Sequence, residues 1–200
     1  MEMLKNENYQ YEIQSNDDHD AFGDLEKAGI LNQTNDARKY YYSHDVYEEL
    51  AANHIFTQQY NMNSGADKFF AKFRTSLRVR KLFRGWLTYF VTTDGHKDII
   101  FKILECEEVD KIWKEEVLLT VITKEHLKDI YYRIISDMAD GNYAMLKRIA
   151  FLINICCRVA EHREIYFNRG SLMPFRLSKP SGYAWKELFM YIFAYKESIC

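Results

Sequence analysis

Proline occurs only twice and glycine eight times in 200 residues. A chain so poor in turn residues does not have the rhythm of a sandwich or barrel, and its Leu, Ile, Lys and Glu content points to helices. Cysteine is scarce too. The four thiols, at 106, 156, 157 and 200, form no Cys-x-x-Cys pair, and the neighbours Cys156 and Cys157 cannot readily bridge to each other. This disfavours a disulfide framework, and the expectation is reduced, buried, apolar side chains in a cytoplasmic protein. No segment approaches about 18 consecutive apolar residues, and the N-terminus MEMLKNENYQYEIQSNDD has no basic stretch followed by an apolar one. Membrane spanning and secretion are both disfavoured.

Recognisable catalytic machinery is missing as well. There is no G-x-x-x-x-G-K-[ST] loop to cradle phosphates, no G-x-G-x-x-G after a strand, no G-x-S-x-G elbow and no H-E-x-x-H helix. No catalytic residue and no metal ligand set is therefore assigned; the histidines at 19, 44, 54, 96, 126 and 162 are scattered. The carboxylates Glu107, Glu108, Asp110, Glu115 and Glu116 alternate with Lys111 and Lys114, which reads as a solvated helix face.

What is present is hydrophobic substance, with 48% hydrophobic and 16% aromatic residues, enough for a chain of this length to bury roughly 70% of its unfolded surface. The formal net charge of −2 hides a segregation. Residues 1–66 carry 4 basic and 12 acidic side chains, 67–84 carry 7 and 1, and 85–200 carry 16 of each. The basic belt is KFFAKFRTSLRVRKLFR, residues 68–84, with Lys68, Lys72, Arg74, Arg78, Arg80, Lys81 and Arg84. Phe69, Phe70, Phe73, Leu77, Leu82, Phe83, Trp86, Leu87 and Phe90 recur near helical spacing through it, which predicts two helices with basic outer faces.

Along the chain, residues 1–18 are polar and aperiodic and are expected to be a flexible N-terminal segment. Residues 19–62 read as a winged-helix-like subdomain. Phe22, Leu25 and Ala28 share a helical face that stops at Gly29; a polar stretch from Asn32 to Lys39 and the β-favouring Tyr40-Tyr41-Tyr42 suggest a wing; a new helix starts at Asp45 and runs to about Tyr60, with Asp45 as its cap and Glu48 as the return partner of a capping box. The inward positions of that helix are expected to be Val46, Tyr47, Leu50, Ala51 and His54. Residues 63–200 read as a helical domain, with helices beyond the belt near 95–106, 108–123, 125–139, 142–160 and 183–198. The stretch from Leu146 to Val159 is apolar nearly all round and so is expected to be central, and 163–182 is expected to be a long connection. The expected fold is thus mainly α, a small winged-helix subdomain followed by an α-helical array.

The segment YYYSHDVYEELAANHIF, residues 40–56, resembles the winged helix that follows the nucleotide-binding core in STAND NTPases of the NACHT and NB-ARC kind. Leu25 to Leu31 is similar to the helix before the wing, and Ser43-His44-Asp45 stands where that class carries its MHD-like triplet, with Ser43 in place of the methionine of the plant type. Downstream, TSLRVRKLFRGWL at 75–87 resembles the Ser-Leu-x-x-Arg-x-x-Phe-Arg-x-Trp-Leu helix of bacterial antiviral STAND ATPases, and WKEEVL at 113–118 and LKRIAFL at 146–152 are similar to their later helices. The similarity covers about residues 20–160. It implies a regulatory and scaffolding piece of such an ATPase in prokaryotic defence. His44 would approach the β-phosphate of ADP, and Asp45 would support it by capping the helix. Without Walker motifs the chain is expected to be a fragment, a truncated relative or one piece of a split system. It is not an enzyme alone and has no cofactor of its own; ADP or ATP would be met only with a nucleotide-binding core in the same or a companion protein, and oligomers are compatible with the class. The alternative is a winged-helix nucleic-acid binder whose belt residues Lys72, Arg74, Arg78, Arg80, Lys81 and Arg84 neutralise phosphates. Against it, the helix that would read a groove, 45–60, carries Glu48 and Glu49 and no Lys or Arg.

Overall fold

The computed structural model describes residues 10–14, 17–36, 38–63, 65–93, 95–124, 127–139, 143–156, 158–166, 172–180, 185–186 and 188–189. The architecture is mainly α, a small winged-helix-type subdomain followed by a helical array. The chain divides into two compact units, Met1–Val117 and Leu118–Cys200.

The first unit opens with strand β1 (Tyr11–Glu12), helix α1 (His19–Lys27) and the hairpin β2 (Leu31–Gln33) and β3 (Lys39–Tyr42). The sheet order is β1-β3-β2, all antiparallel, with Tyr40 opposite both Tyr11 and Gln33. Within the lead expected to be flexible, Tyr11 and Glu12 form a strand. Its short apolar-polar pattern is too brief to register as periodicity, and it is held by ring contacts: Phe22 of α1 stacks on Tyr11 at 5.4 Å and meets Tyr40 at 5.3 Å. Asp18 caps α1, its side chain accepting from the N–H groups of Asp20 and Ala21, and Gly29 beyond the helix takes φ +70, the left-handed conformation that lets the chain turn into β2.

Helices α2 (Asp45–Met62), α3 (Ala66–Phe70), α4 (Leu77–Thr93) and α5 (Asp98–Glu105) follow, and α6 (Lys111–Thr123) begins in the first unit and ends in the second. The belt does form two helices, α3 and α4, and their aromatics are core. Phe56 of α2 lies 5.5 Å from Trp86, 4.6 Å from Phe73 and 6.0 Å from Phe83. Phe69 lies nearly parallel to Trp86, and Phe70 and Phe83 flank Trp113 of α6 at 4.9 and 5.2 Å. Trp86 is fully buried, yet its indole N–H is satisfied by the Thr57 hydroxyl at 3.0 Å. The inward positions of α2 differ from the expected ones. Glu48, Ala52 and Phe56 are buried, at spacing i, i+4, i+8, while Val46 and Leu50 are more than half exposed. The larger ring of Phe56 selects the face.

In the second unit, α7 (Lys128–Ala139) and α8 (Tyr143–Cys156) precede two strands. Helix α8 is not buried all round: Ile149, Leu152 and Ile153 face the interior, whereas Phe151 and Ile155 are about half exposed. The expected connection at 163–182 is instead a ribbon of β4 (Arg158–Tyr166) and β5 (Leu172–Pro180), paired from Arg158↔Pro180 to Tyr166↔Leu172. Pro174 and Pro180 disguise it in the sequence. A two-stranded ribbon has only edge strands, where a missing donor is tolerated, and Met173, Phe175 and Leu177 alternate with the strand period. Of the expected final helix at 183–198, only Trp185–Lys186 and Leu188–Phe189 are described, and they are helical; the rest lies outside the described residues. The thiols are less buried than expected: Cys156 is exposed, and half-buried Cys106 donates to the Glu108 carboxylate at 3.3 Å. Cys157 and Cys200 lie outside the described residues. Among the described residues no helix is long and apolar enough to cross a membrane.

Two outcomes are expected from these contacts. Trp86→Ala removes the ring at the centre of the first unit and is expected to destabilise the chain by about 3–5 kcal/mol in denaturant unfolding, against less than about 1 kcal/mol for truncation of exposed Tyr89. The Asp17 carboxylate accepts from the Tyr11 hydroxyl and the Gln14 N–H, each at 2.6 Å, which holds it below its ordinary value of 3.8. A carboxyl lowered by folding favours the folded form above that ordinary value, and the contribution is lost as pH falls through the lowered one. In an NMR pH titration the β1 amides should therefore report an acid midpoint below 3.8; a midpoint above it removes the assignment.

Candidate functional site

The Ser43-His44-Asp45 triplet sits where β3 passes into α2. Its start is tethered. The Ser43 N–H donates to the Ile30 carbonyl at 3.0 Å, and the Ser43 hydroxyl donates to the carbonyls of Ile30 (3.2 Å) and Gly29. A hydroxyl at this position thus fastens the triplet to the exit of α1. His44 follows with extended backbone (φ −138, ψ 147) and is itself the N-cap of α2, exposed, its ring 6.1 Å from that of Tyr47. No side-chain hydrogen bond caps the helix, so its first turn keeps the donor character of an open N-terminus.

Asp45 does not cap the helix. It is the first helical residue, one position past the cap, where a side chain cannot reach back over the N2 and N3 amides; its charge instead complements the positive end of the helix dipole. Nor does Glu48 close a capping box, because its side chain is committed elsewhere. Glu48 is 5% exposed, and its carboxylate accepts from Arg78 Nε at 2.9 Å and from Arg78 Nη2. Tyr42, the last residue of β3, is held above its ordinary value of 10.0 by burial and by the nearby Glu48 charge.

The belt is divided by this structure. Arg78 serves Glu48 on α2, while Arg80 and Arg84 both reach Glu116 on α6, Arg80 Nη1 to one carboxylate oxygen at 3.1 Å and Arg84 Nη1 to the other at 2.5 Å. Glu116 is 5% exposed, which corrects its assignment to a solvated face. It lies on the same inward stripe as Trp113, Val117 and Thr120, so burial of those residues carries the carboxylate inside, and two arginines one helical turn apart neutralise it. Lys72, Arg74 and Lys81 are exposed. The six belt residues thus do not form one outward-facing surface.

Between the first turns of α2 and α4 lies a cleft of about 570 Å³, with Asp45, Glu48 and Glu49 on one wall, Leu77, Arg78, Lys81, Leu82 and Arg84 on the other. It adjoins the His44 turn through Asp45 and unites one candidate site residue with three of the belt. Glu48 and Glu116 are the buried partners of the belt arginines that the sequence did not reveal. The available signal was an acid in register with the buried stripe, Glu48 four residues before Ala52 and Glu116 three after Trp113. Among the described residues no group of three or more His, Cys, Asp or Glu side chains could hold a metal ion. Comparison of the chain with protein-family models and with curated proteins finds no match.

Glu116→Ala leaves two guanidinium groups, each about 30% exposed, without their common carboxylate. Solvent screens part of that loss, so an expected destabilisation of about 2–3 kcal/mol sits below that of a fully buried pair. Arg84→Ala should cost more than Arg80→Ala, since Arg80 keeps a buried Nε with no acceptor even in the intact protein. Denaturant unfolding of the three variants decides both points; equal and negligible effects would mean that Glu116 is solvated.

Proposed function

We propose that this chain is the non-catalytic regulatory and scaffolding part of a STAND-type nucleotide switch in prokaryotic defence, acting in the cytoplasm. Its winged-helix turn contacts ADP held by a nucleotide-binding core in the same or a companion protein. The observation that carries the reading is the setting of His44: an exposed imidazole at the N-cap of an 18-residue helix, with no side chain capping that helix and the preceding Ser43 anchored to the Gly29 and Ile30 carbonyls. An imidazole N–H beside an open helix N-terminus suits a phosphate oxygen. The helices behind it supply the scaffold, because α2 is fixed to α4 by Phe56 against Trp86 and by Glu48 against Arg78.

The belt supports the nucleic-acid reading less well. Arg78, Arg80 and Arg84 already face the carboxylates of Glu48 and Glu116, so phosphate binding through them would have to break internal ion pairs.

The test uses the P-loop protein that contains or accompanies this chain, loaded with fluorescent ADP. Loss of one imidazole–phosphate hydrogen bond should speed ADP release by about tenfold or more in His44→Ala. Release at the wild-type rate, or no P-loop partner for the chain, overturns the reading.

A further inference from the structure

We infer that Glu48 and Arg78 are a positioning pair for His44, which makes the first turn of α4 the element that sets where the imidazole stands. The inference rests on the nucleotide reading for its purpose, though not for its geometry. A glutamate one turn into a helix would normally be left in water, and this one is 5% exposed. Burial of its charge requires a partner, and Arg78 supplies two N–H groups to the same carboxylate oxygen.

The pair lies between the two segments that bracket His44. On the helix side, the Glu48 N–H donates to the His44 carbonyl at 3.4 Å, and that of Tyr47 at 3.1 Å, so the glutamate belongs to the turn that His44 starts. On the strand side, half-buried Tyr42 feels the Glu48 charge two residues before His44. Ser43 fixes the chain in between to the end of α1. The remaining charged groups facing the cleft are Asp45 and Glu49 from α2 and Lys81 and Arg84 from α4, of which Arg84 donates to Glu116. His44 itself touches solvent and Tyr47. Its location is therefore inherited from the backbone on both sides, and Glu48 with Arg78 connects that backbone to the aromatic core through α4.

Two measurements test the pair. The first is amide hydrogen exchange on the 200-residue chain. Glu48→Gln and Arg78→Ala should each raise exchange at amides 48–52 and 41–42 by about tenfold, Arg78→Lys by less, and Lys102→Ala, which removes one positive charge from an exposed pair on α5, not at all. Amides 86–91 of α4 serve as the internal reference. No change at 48–52, or an equal rise at 86–91, overturns the inference, since the pair would then be idle or a general stabiliser.

The second is ADP release from the P-loop protein containing or accompanying the chain. Arg78→Ala should speed release in the presence of His44 and add less than about twofold once His44→Ala is in place. Full additivity overturns the positioning role. If His44→Ala alone leaves release unaltered, the nucleotide reading fails while the exchange result still decides whether the pair holds the turn.

Discussion

The packing of the helices in the first unit depends on the two loads carried by α4. Its sequence places Val79, Leu82, Phe83, Trp86, Leu87, Phe90 and Val91 on an inward face. The same burial draws Arg78, Arg80 and Arg84 toward the margin of the core. A guanidinium at such a margin must keep water or find a carboxylate. Neighbouring helices provide one each, Glu48 from α2 and Glu116 from α6, and both carboxylates are more deeply buried than the arginines that reach them. The ion pairs specify how α2 and α6 stand against α4 more than they add net stability, because desolvation of the acids offsets much of the Coulombic gain. The aromatic contacts of Phe56, Phe69, Phe83 and Trp113 supply the stability, each pair contributing about 0.5–1.5 kcal/mol beyond its burial.

This arrangement changes what the charge segregation means. A belt of seven cations beside an acidic head suggests a surface that seeks an anionic partner. Half of the six residues considered for phosphate binding are instead turned to internal carboxylates, one of them in the acidic head itself. Opposite charge in neighbouring segments here is partly an instruction for assembling the fold. Lys72, Arg74 and Lys81 keep the net positive character of the exposed edge, but three exposed cations lose their advantage quickly as salt shortens the Debye length.

Most helices were legible because their signals are local. Gly29 at φ +70 ends α1 as a glycine stop should, and α2, α4, α6 and α7 lie close to the periodic stretches that announced them. Three features were not legible, each because a neighbour in space decided it. Whether Val46 or Ala52 faces inward depends on where Phe73 and Trp86 stand, which no window around α2 contains. Glu116 looks like one more acid among Lys111, Lys114 and Glu115 until Arg80 and Arg84 are placed beside it. The ribbon of β4 and β5 consists of pairing between two separate segments of the chain, and its prolines speak locally for a loop. The cap of α2 failed for a smaller reason. A shift of one residue, well within the uncertainty of any sequence-based boundary, separates a capping aspartate from one that only faces the dipole.

That one-residue shift also bears on function. With Asp45 at the cap, its carboxylate would lie over the first-turn amides and occupy the donors a phosphate needs. With His44 at the cap and no side-chain bond closing the turn, no side chain covers the first-turn amides, and beside them stands an imidazole whose N–H can donate to an anion. The acids of the cleft work in the opposite sense. Asp45 and Glu49 repel a second anion, and Glu48 is compensated by Arg78. On the proposed reading, a triplet that presented its aspartate would resist phosphate, while one that presents its histidine, with the nearest buried acid neutralised from α4, would admit it. On that reading the Glu48–Arg78 pair would do two things for the same turn: hold the backbone on which His44 stands, and neutralise the buried negative charge that would otherwise oppose an anion at His44.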